Sequence, residues 1–389
     1  MKILHCCLAN FYIDNYSYQE NILPKIHKQM GYEVEILAST ESYINNTKIG
    51  YLPEGKYTTE HNIALTRLPY CSLIPNIVVR KLRIYNGIDS YLDKSKPDII
   101  FLHGCQFLSI NAFTKYAKKN KVDIYIDCHT DFVNSGKNIF SKYILHKIIY
   151  KQCAKNIEKY ASMYYGTLPL RVDFLNKVYG INKNKIQLLP FGADDSLFDS
   201  ADREKIRSEM RKKLKLKNND VVIISGGKID KRKNIHILGN AFIEFVEENK
   251  FEDIKLIIFG NPVQELKIEI EKISAHSSVH YVDWISSNEI YTYFMASDVA
   301  FFPGTHSVLW EEAVGLGLPC IFLRWTGIQH VDLGGNCVFI ESSDLATIKK
   351  MLLDISVNKA MLAKMKEVSL NKGPEIFSYS KIAARSIVK

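Results

Sequence analysis

A chain of 389 residues exceeds what one hydrophobic core serves, so two domains of ordinary size are expected. With 47% hydrophobic and 24% charged residues it is not a disordered chain, and no run nears the roughly 18 uncharged apolar residues that span a bilayer. Eight cysteines without C-x-x-C spacing or a His/Cys ligand pattern exclude a disulfide framework and a zinc module. The opening 1–8 is too short an apolar run for a secretory leader, so a cytoplasmic location is expected. The net charge of +9 is uneven: residues 1–195 carry 25 Lys+Arg against 17 Asp+Glu, and residues 196–389 carry 26 against 25. A basic first half suits a polyanionic partner or an acidic membrane surface.

The first half alternates strand and helix signals. Residues 2–8 form an apolar strand. A helix over 17–30 follows, with Ser17 as N-cap and Gly31 as stop. Strands are predicted over 33–38, 99–104 and 122–126. Such alternation means a parallel sheet, whose ligands lie at the carboxyl ends of the strands, where His103 and His129 fall. The link 9–18 holds Asn10, Tyr12, Tyr16 and Tyr18; aromatic faces and amides suit a sugar, and an ordered surface loop is the other reading. The segment 136–160 carries Lys137, Lys142, Lys147, Lys151, Lys155 and Lys159 against one acid, Glu158. A basic amphipathic helix of this kind either lies on anionic lipid or covers a core with a solvated face. Nucleic acid is not expected, because no recognition motif accompanies the charge.

After Asp194 comes a charged helix over 203–216, then a second series with strands at 221–225, 254–259, 279–282, 299–302 and 320–322. The expected architecture is α/β: two doubly wound Rossmann-like domains, 1–195 and 196–374, with a last helix inside 375–389 that packs on either. Two stretches of the second half carry chemistry. Strand 221–225 ends in Gly226-Gly227, with Lys228 next and Lys233 five residues on, where a helix begins. Two ammonium groups and helix N-terminal amides at a glycine turn suit a diphosphate; the bland reading is a solvated basic turn. Further on, Glu312 opens a helix of small residues, either to accept ribose hydroxyls or as a capping acid, a role Glu311 can fill. His129, between Asp127 and Asp131, is structural or catalytic on its own signal.

Taken in order, these stretches resemble the GT-B fold glycosyltransferases of the large retaining family four, the class that builds bacterial surface polysaccharides and lipid-linked glycans. Leu189-Pro190-Phe191-Gly192-Ala193-Asp194 resembles the family's P-N-G-V-D hinge, and residues 227–234 resemble G-R-L-x-x-x-K-G. Residues 281–285 resemble the strand and turn that hold the base, and 312–319 resemble E-A-x-A-x-G-x-P. The resemblance implies an interdomain cleft and a nucleoside diphosphate sugar as donor, with UDP the expected nucleotide. It assigns Gly227, Lys228, Lys233, Trp284, Ile285, His306, Ser307 and Glu312 to the donor, and His129, Lys228 and Lys233 to catalysis. Asn10, Tyr12, Tyr16, Tyr18, His103 and Asp131 fall on the acceptor side. In a retaining front-face reaction the departing phosphate can take the acceptor proton, so no separate base, metal or cofactor is implied. Acceptors of the family, glycans or polyprenyl-linked glycans, imply a peripheral place on the inner face of the plasma membrane through 137–159. One departure stands out. The family has two glutamates separated by seven residues, and where the first is expected this chain has Gly304. His306 and Ser307 in the same loop can supply hydrogen bonds instead. Two rival readings share the pattern: a GT-B fold nucleotide-sugar epimerase and a non-catalytic nucleotide-sugar binder.

Overall fold

The computed structural model describes every residue except 45–47, 134, 136–137, 199 and 388–389. The chain divides into two compact units, Met1–Pro190 with Ala383–Lys389, and Phe191–Ile382. The division thus falls after Pro190, earlier than the expected 195. The last helix, Tyr379–Ser386, begins in the second unit and ends in the first.

The first unit is built on one sheet. Its strands are β1 (Lys2–Cys7), β2 (Glu33–Ser39), β5 (Gly55–Thr58), β6 (Ala64–Leu68), β7 (Ile99–His103), β8 (Asp123–Cys128), β9 (Ala161–Gly166) and β10 (Ile186–Leu188). Their order is β10-β9-β8-β7-β1-β2-β6-β5, parallel except for the β5–β6 hairpin. A separate ladder pairs β3 (Glu41–Ile44) with β4 (Lys48–Tyr51). Strands covered on both faces must be apolar throughout, and β7 is buried along its whole length. That makes His5 in β1 and His103 in β7 anomalies: each is a polar ring with no exposed surface in the middle of the sheet. Register sets His103 beside Asp127 and His5 beside Phe101.

The first helix runs Gln19–Gln29, with Tyr18 in extended backbone as its N-cap and no side-chain cap. The expected Ser17 cap is therefore one position out. The basic segment is a wide-turned π-helix, Phe140–Tyr150, continuing as Lys151–Glu158. Leu145, His146, Tyr150, Cys153, Ala154 and Ile157 face the core, while Ile139, Phe140, Tyr143, Ile144 and Ile148 are exposed. Lys137 lies outside the described residues.

The second unit holds β11 (Val221–Gly226), β12 (Ile254–Phe259), β13 (Val279–Val282), β14 (Val299–Phe302), β15 (Cys320–Leu323) and β16 (Cys337–Ile340), in the order β13-β12-β11-β14-β15-β16, all parallel. The charged helix is Arg203–Lys213, shorter than expected. Among the described residues no helix is long and apolar enough to cross a membrane.

Candidate active site

In the first unit the strand ends β7 and β8 and the helix Gln19–Gln29 bring titratable groups together. Asp127 is fully buried and accepts from His103 Nδ1 at 2.8 Å, while His129 Nε2 stands 3.2 Å from the same Oδ2. Burial pushes the Asp127 carboxyl up, but His129 and His103 outweigh it and hold it well below the usual range. For His129 burial opposes the charge, yet Asp127 and then Glu20 raise its affinity for a proton. Asn10 donates to Glu20 at 3.0 Å, placing the first loop against this cluster.

Several acceptor-side assignments change. His103 has no exposed surface and is held between His5 Nδ1 (3.0 Å) and Asp127, so it cannot face a substrate. Tyr12 is 1% exposed; its ring lies in the core beneath the Arg67 guanidinium, which pairs with Asp14 at 2.8 Å. Asp131 is buried, receives Val133 N at 2.8 Å and pairs with Arg171 at 3.2 Å, which makes it a turn former. Tyr16 and Tyr18 stack obliquely at 5.2 Å, with Tyr18 exposed. Ligand atoms of Glu20, His103 and His129 lie within 4.8 Å of one another, a spacing that could hold a cation. Both ring nitrogens of His103 are already committed, however, so the trio is a hydrogen-bonding cluster.

In the second unit β11 ends in a turn whose glycines are dictated by contact. A Cβ on Gly226 would meet the Phe259 ring at 2.4 Å, and one on Gly260 would meet the Gly227 carbonyl oxygen at 1.9 Å. Gly227 itself has φ +105, a conformation that favours glycine. Asp230 caps the turn Lys231–Lys233 through Arg232 N (3.0 Å), and the helix Ile235–Asn249 starts at once. Of the four basic side chains, Lys231 pairs with Glu265 at 2.7 Å and Arg232 with Asp230 at 2.8 Å. Lys228 is exposed and makes no ion pair among the described residues. Lys233 is turned inward, where its ammonium donates to the carbonyls of Thr305 (2.7 Å) and His306 (2.8 Å), and burial lowers it to about 8. It thereby ties the 303–307 loop to the glycine turn.

That tie explains Gly304. A Cβ there would stand 2.4 Å from Arg232 O and Lys233 Cα, so no glutamate fits without displacing the turn. Ser307 lines a small recess together with Ser225, Gly226, Lys233 and Thr305. His306 points elsewhere: its Nε2 donates to the Glu311 carboxylate at 2.8 and 3.0 Å, and His330 Nε2 reaches the same group at 2.9 Å. Glu311 is therefore not a surface capping acid. It has no exposed surface, and although burial pushes it up, the two imidazoles hold it at about 2. Glu312 is also buried, but makes no side-chain hydrogen bond among the described residues. Burial first, then Glu311 and Asp194, push it up to about 8. After β13, Trp284 is 69% exposed and Ile285 half-buried, on a turn joined to the Gly260 loop by Tyr281 OH at 2.8 Å.

Residues 206–368 match the model of the family described as glycosyl transferases group 1. That match lies within the second half of the chain, and the whole chain has the GT-B fold. The chain is 23% identical over 344 residues to an alpha-monoglucosyldiacylglycerol synthase of Acholeplasma laidlawii, covering 82% of the chain and 80% of the relative. It is 20% identical over 260 residues to a mannosylfructose-phosphate synthase of Agrobacterium fabrum, covering 63% of the chain and only 54% of that protein. Among solved structures it superposes on a sucrose-phosphate synthase of Thermosynechococcus elongatus with TM-score 0.65 at 16% identity, over 99% of this chain and 96% of that one. HepE from Anabaena, solved with UDP-glucose, gives 0.64 at 13% identity over 99% and 98%. A UDP-GlcNAc 2-epimerase of Neisseria meningitidis gives 0.62 at 15% over 99% of each.

Sequence reasoning missed His330 and the buried rings His5 and His27. None stands in a motif; only the sheet registers and the loop after β15 bring them to the carboxylates they serve.

Proposed function

We propose that the protein transfers a sugar from a nucleoside diphosphate sugar, with UDP as the nucleotide, to a glycan or lipid-linked acceptor with retention at the anomeric carbon. The observation that carries this reading lies in the second unit. Among the described residues Lys228 has no carboxylate partner and the buried Glu312 lacks a hydrogen-bond partner, and Lys233 sits beside the glycine turn. Breaking the glycosidic bond builds charge on the leaving diphosphate, and ammonium groups with helix N-terminal amides lower that barrier. In this reading the lysines neutralise the diphosphate without a metal, Glu312 receives the ribose hydroxyls, and Trp284 and Ile285 flank the base. His129 is assigned to the reacting sugar. The support from relatives is that HepE was solved with UDP-glucose, and that the Acholeplasma relative is named for a glucosylated diacylglycerol.

A peripheral place on an anionic membrane is part of the proposal. Ile139 is 80% and Ile148 58% exposed, with Phe140, Tyr143 and Ile144 beside them. Lysines stand among these rings: Lys147 lies 4.4 Å from the Tyr143 ring, Lys142 5.1 Å from Phe132 and Lys81 5.2 Å from Phe140. Ammonium groups over aromatic faces, beside exposed aliphatic side chains, suit a headgroup layer, at about 1 kcal/mol per cation near the surface.

The test is one incubation series: UDP-glucose, UDP-galactose and UDP-GlcNAc, each with and without phosphatidylglycerol vesicles containing diacylglycerol or an undecaprenyl-linked sugar. Acceptor-dependent UDP release supports transfer. Conversion of UDP-GlcNAc with no acceptor would establish the epimerase reading, and binding with no turnover the non-catalytic one.

A further inference from the structure

Behind His129 a line of imidazoles runs through the first unit. Ser386 Oγ is 3.0 Å from His27 Nε2, His27 Nδ1 is 2.9 Å from His5 Nε2, and His5 Nδ1 is 3.0 Å from His103 Nε2. His103 Nδ1 closes the line on Asp127 at 2.8 Å. The four members come from the helix Gln19–Gln29, β1, β7 and β8, and none has exposed surface. Consecutive rings lie 5.1 and 5.3 Å apart, nearly stacked.

Two hydrogen-bond directions can satisfy such a line. In one, every ring carries its proton on Nδ1 and donates toward Asp127, with the Ser386 hydroxyl donating to His27. In the other, every ring carries its proton on Nε2, and His27 donates to Ser386 and, at 3.3 Å, to the Ala383 carbonyl, to which Ser386 also donates at 2.8 Å. The second arrangement points the His103 Nδ1 lone pair at a carboxylate, and an ionised carboxylate can only accept. An imidazolium within the line would be a charge in a dry interior, disfavoured further by the neighbouring rings.

We infer that His5, His27 and His103 are positioning residues: a line of neutral Nδ1–H imidazoles that occupies both nitrogens of His103 and so reserves the charge of Asp127 for His129. His5 is the link that decides this, because its N–H fills the one lone pair at which His103 could take a proton. Were His103 to become an imidazolium, Asp127 would be neutralised from behind and His129 would lose its anion. The groups facing His129 are Asp127 before it, His103 at the end of β7, Glu20 on the first helix and Arg171 on Pro169–Lys177. Burial, followed by the neighbouring imidazoles, keeps His5 well below the ordinary value, and burial holds His27 at about 4, consistent with rings that stay neutral.

This inference rests on the reading that assigns His129 to the reacting sugar, but its test needs no substrate, so the two can fail separately. In the full chain labelled with ¹⁵N-histidine, long-range ¹H–¹⁵N spectra report the tautomer of each ring, assigned by single replacements. Between pH 5.5 and 8.5 His5, His27 and His103 are expected to keep the Nδ1–H form while His129 titrates. In His5→Leu the His129 midpoint is expected to fall by about one pH unit, as for loss of an adjacent opposite charge. Ser386→Ala, which trims the far end without entering the sheet, is expected to move the His27 signals and leave His5 and His103 as Nδ1–H. Nε2–H tautomers in the wild type, titration of any of the three rings in this range, reversal of the line in Ser386→Ala, or an unmoved His129 midpoint in folded His5→Leu would each overturn it.

Discussion

Each unit buries one carboxylate between two imidazoles at the ends of its strands, and what surrounds the pair differs. Asp127 lies between His103 and His129 and is backed by two more rings; Glu311 lies between His306 and His330 and is backed by a second acid, Glu312. The first arrangement serves one anion whose charge is directed forward. The second separates two adjacent acids, one held at about 2 and the other raised to about 8. Like-charged neighbours cannot both ionise cheaply in a dry site, so imidazoles at Glu311 leave Glu312 as the acid that stays protonated. Identical side-chain chemistry thus yields a fixed anion in one unit and a titrating acid in the other.

Replacement of Lys233 by alanine should have the largest consequence, since it unties the 303–307 loop and, on the proposed reading, removes an ammonium from the diphosphate. Turnover with the preferred donor is expected to fall by about 10²–10³-fold in initial-rate assays. Glu311→Ala leaves two partly buried imidazoles without their anion and should destabilise the second unit by about 3 kcal/mol in urea unfolding. Because Glu311 is held below its ordinary value, the wild-type advantage should be complete above the unfolded carboxylate range and vanish as pH falls toward about 2. Glu312→Gln should act in the opposite sense. A carboxyl raised to about 8 contributes stability that is present below about 4.5 and lost as pH rises through about 8. The glutamine variant should therefore melt about 2–4 °C above wild type at pH 9 for each 1 kcal/mol relieved, and match it at pH 5, by scanning calorimetry.

The parallel sheets were legible because apolar runs of strand length alternate with helical ones, and β12, β13 and β14 fall where the sequence places them. The hairpin β5–β6 and the ladder β3–β4 were not, being short and mixed in polarity. Motif reading singled out Lys228, Lys233 and Glu312 but mistook the parts played by Glu311 and His306. A buried ion cluster leaves no periodic trace, and Glu311 looks like any acid in a first helical turn. His103 and Tyr12 were placed at a substrate because strand ends and aromatic loops often meet ligands; three-dimensional burial decides otherwise. Gly304 shows the reverse: a missing glutamate is explained only by the backbone of the 230–234 turn pressed against it.

The central claim is that Lys233 and Glu312 serve one nucleotide, and both sit at about 8 with opposite needs, the lysine charged when protonated and the glutamate when not. Calorimetric titration of UDP into wild type, Glu312→Gln and Lys233→Met between pH 7 and 9.5 tests this most directly. The wild type should bind most tightly near pH 8, with affinity falling on both sides. Glu312→Gln should bind about 10–100-fold more weakly and lose the acid limb, and Lys233→Met should lose the alkaline limb. No UDP binding by the wild type, or both limbs intact in either variant, would contradict the account.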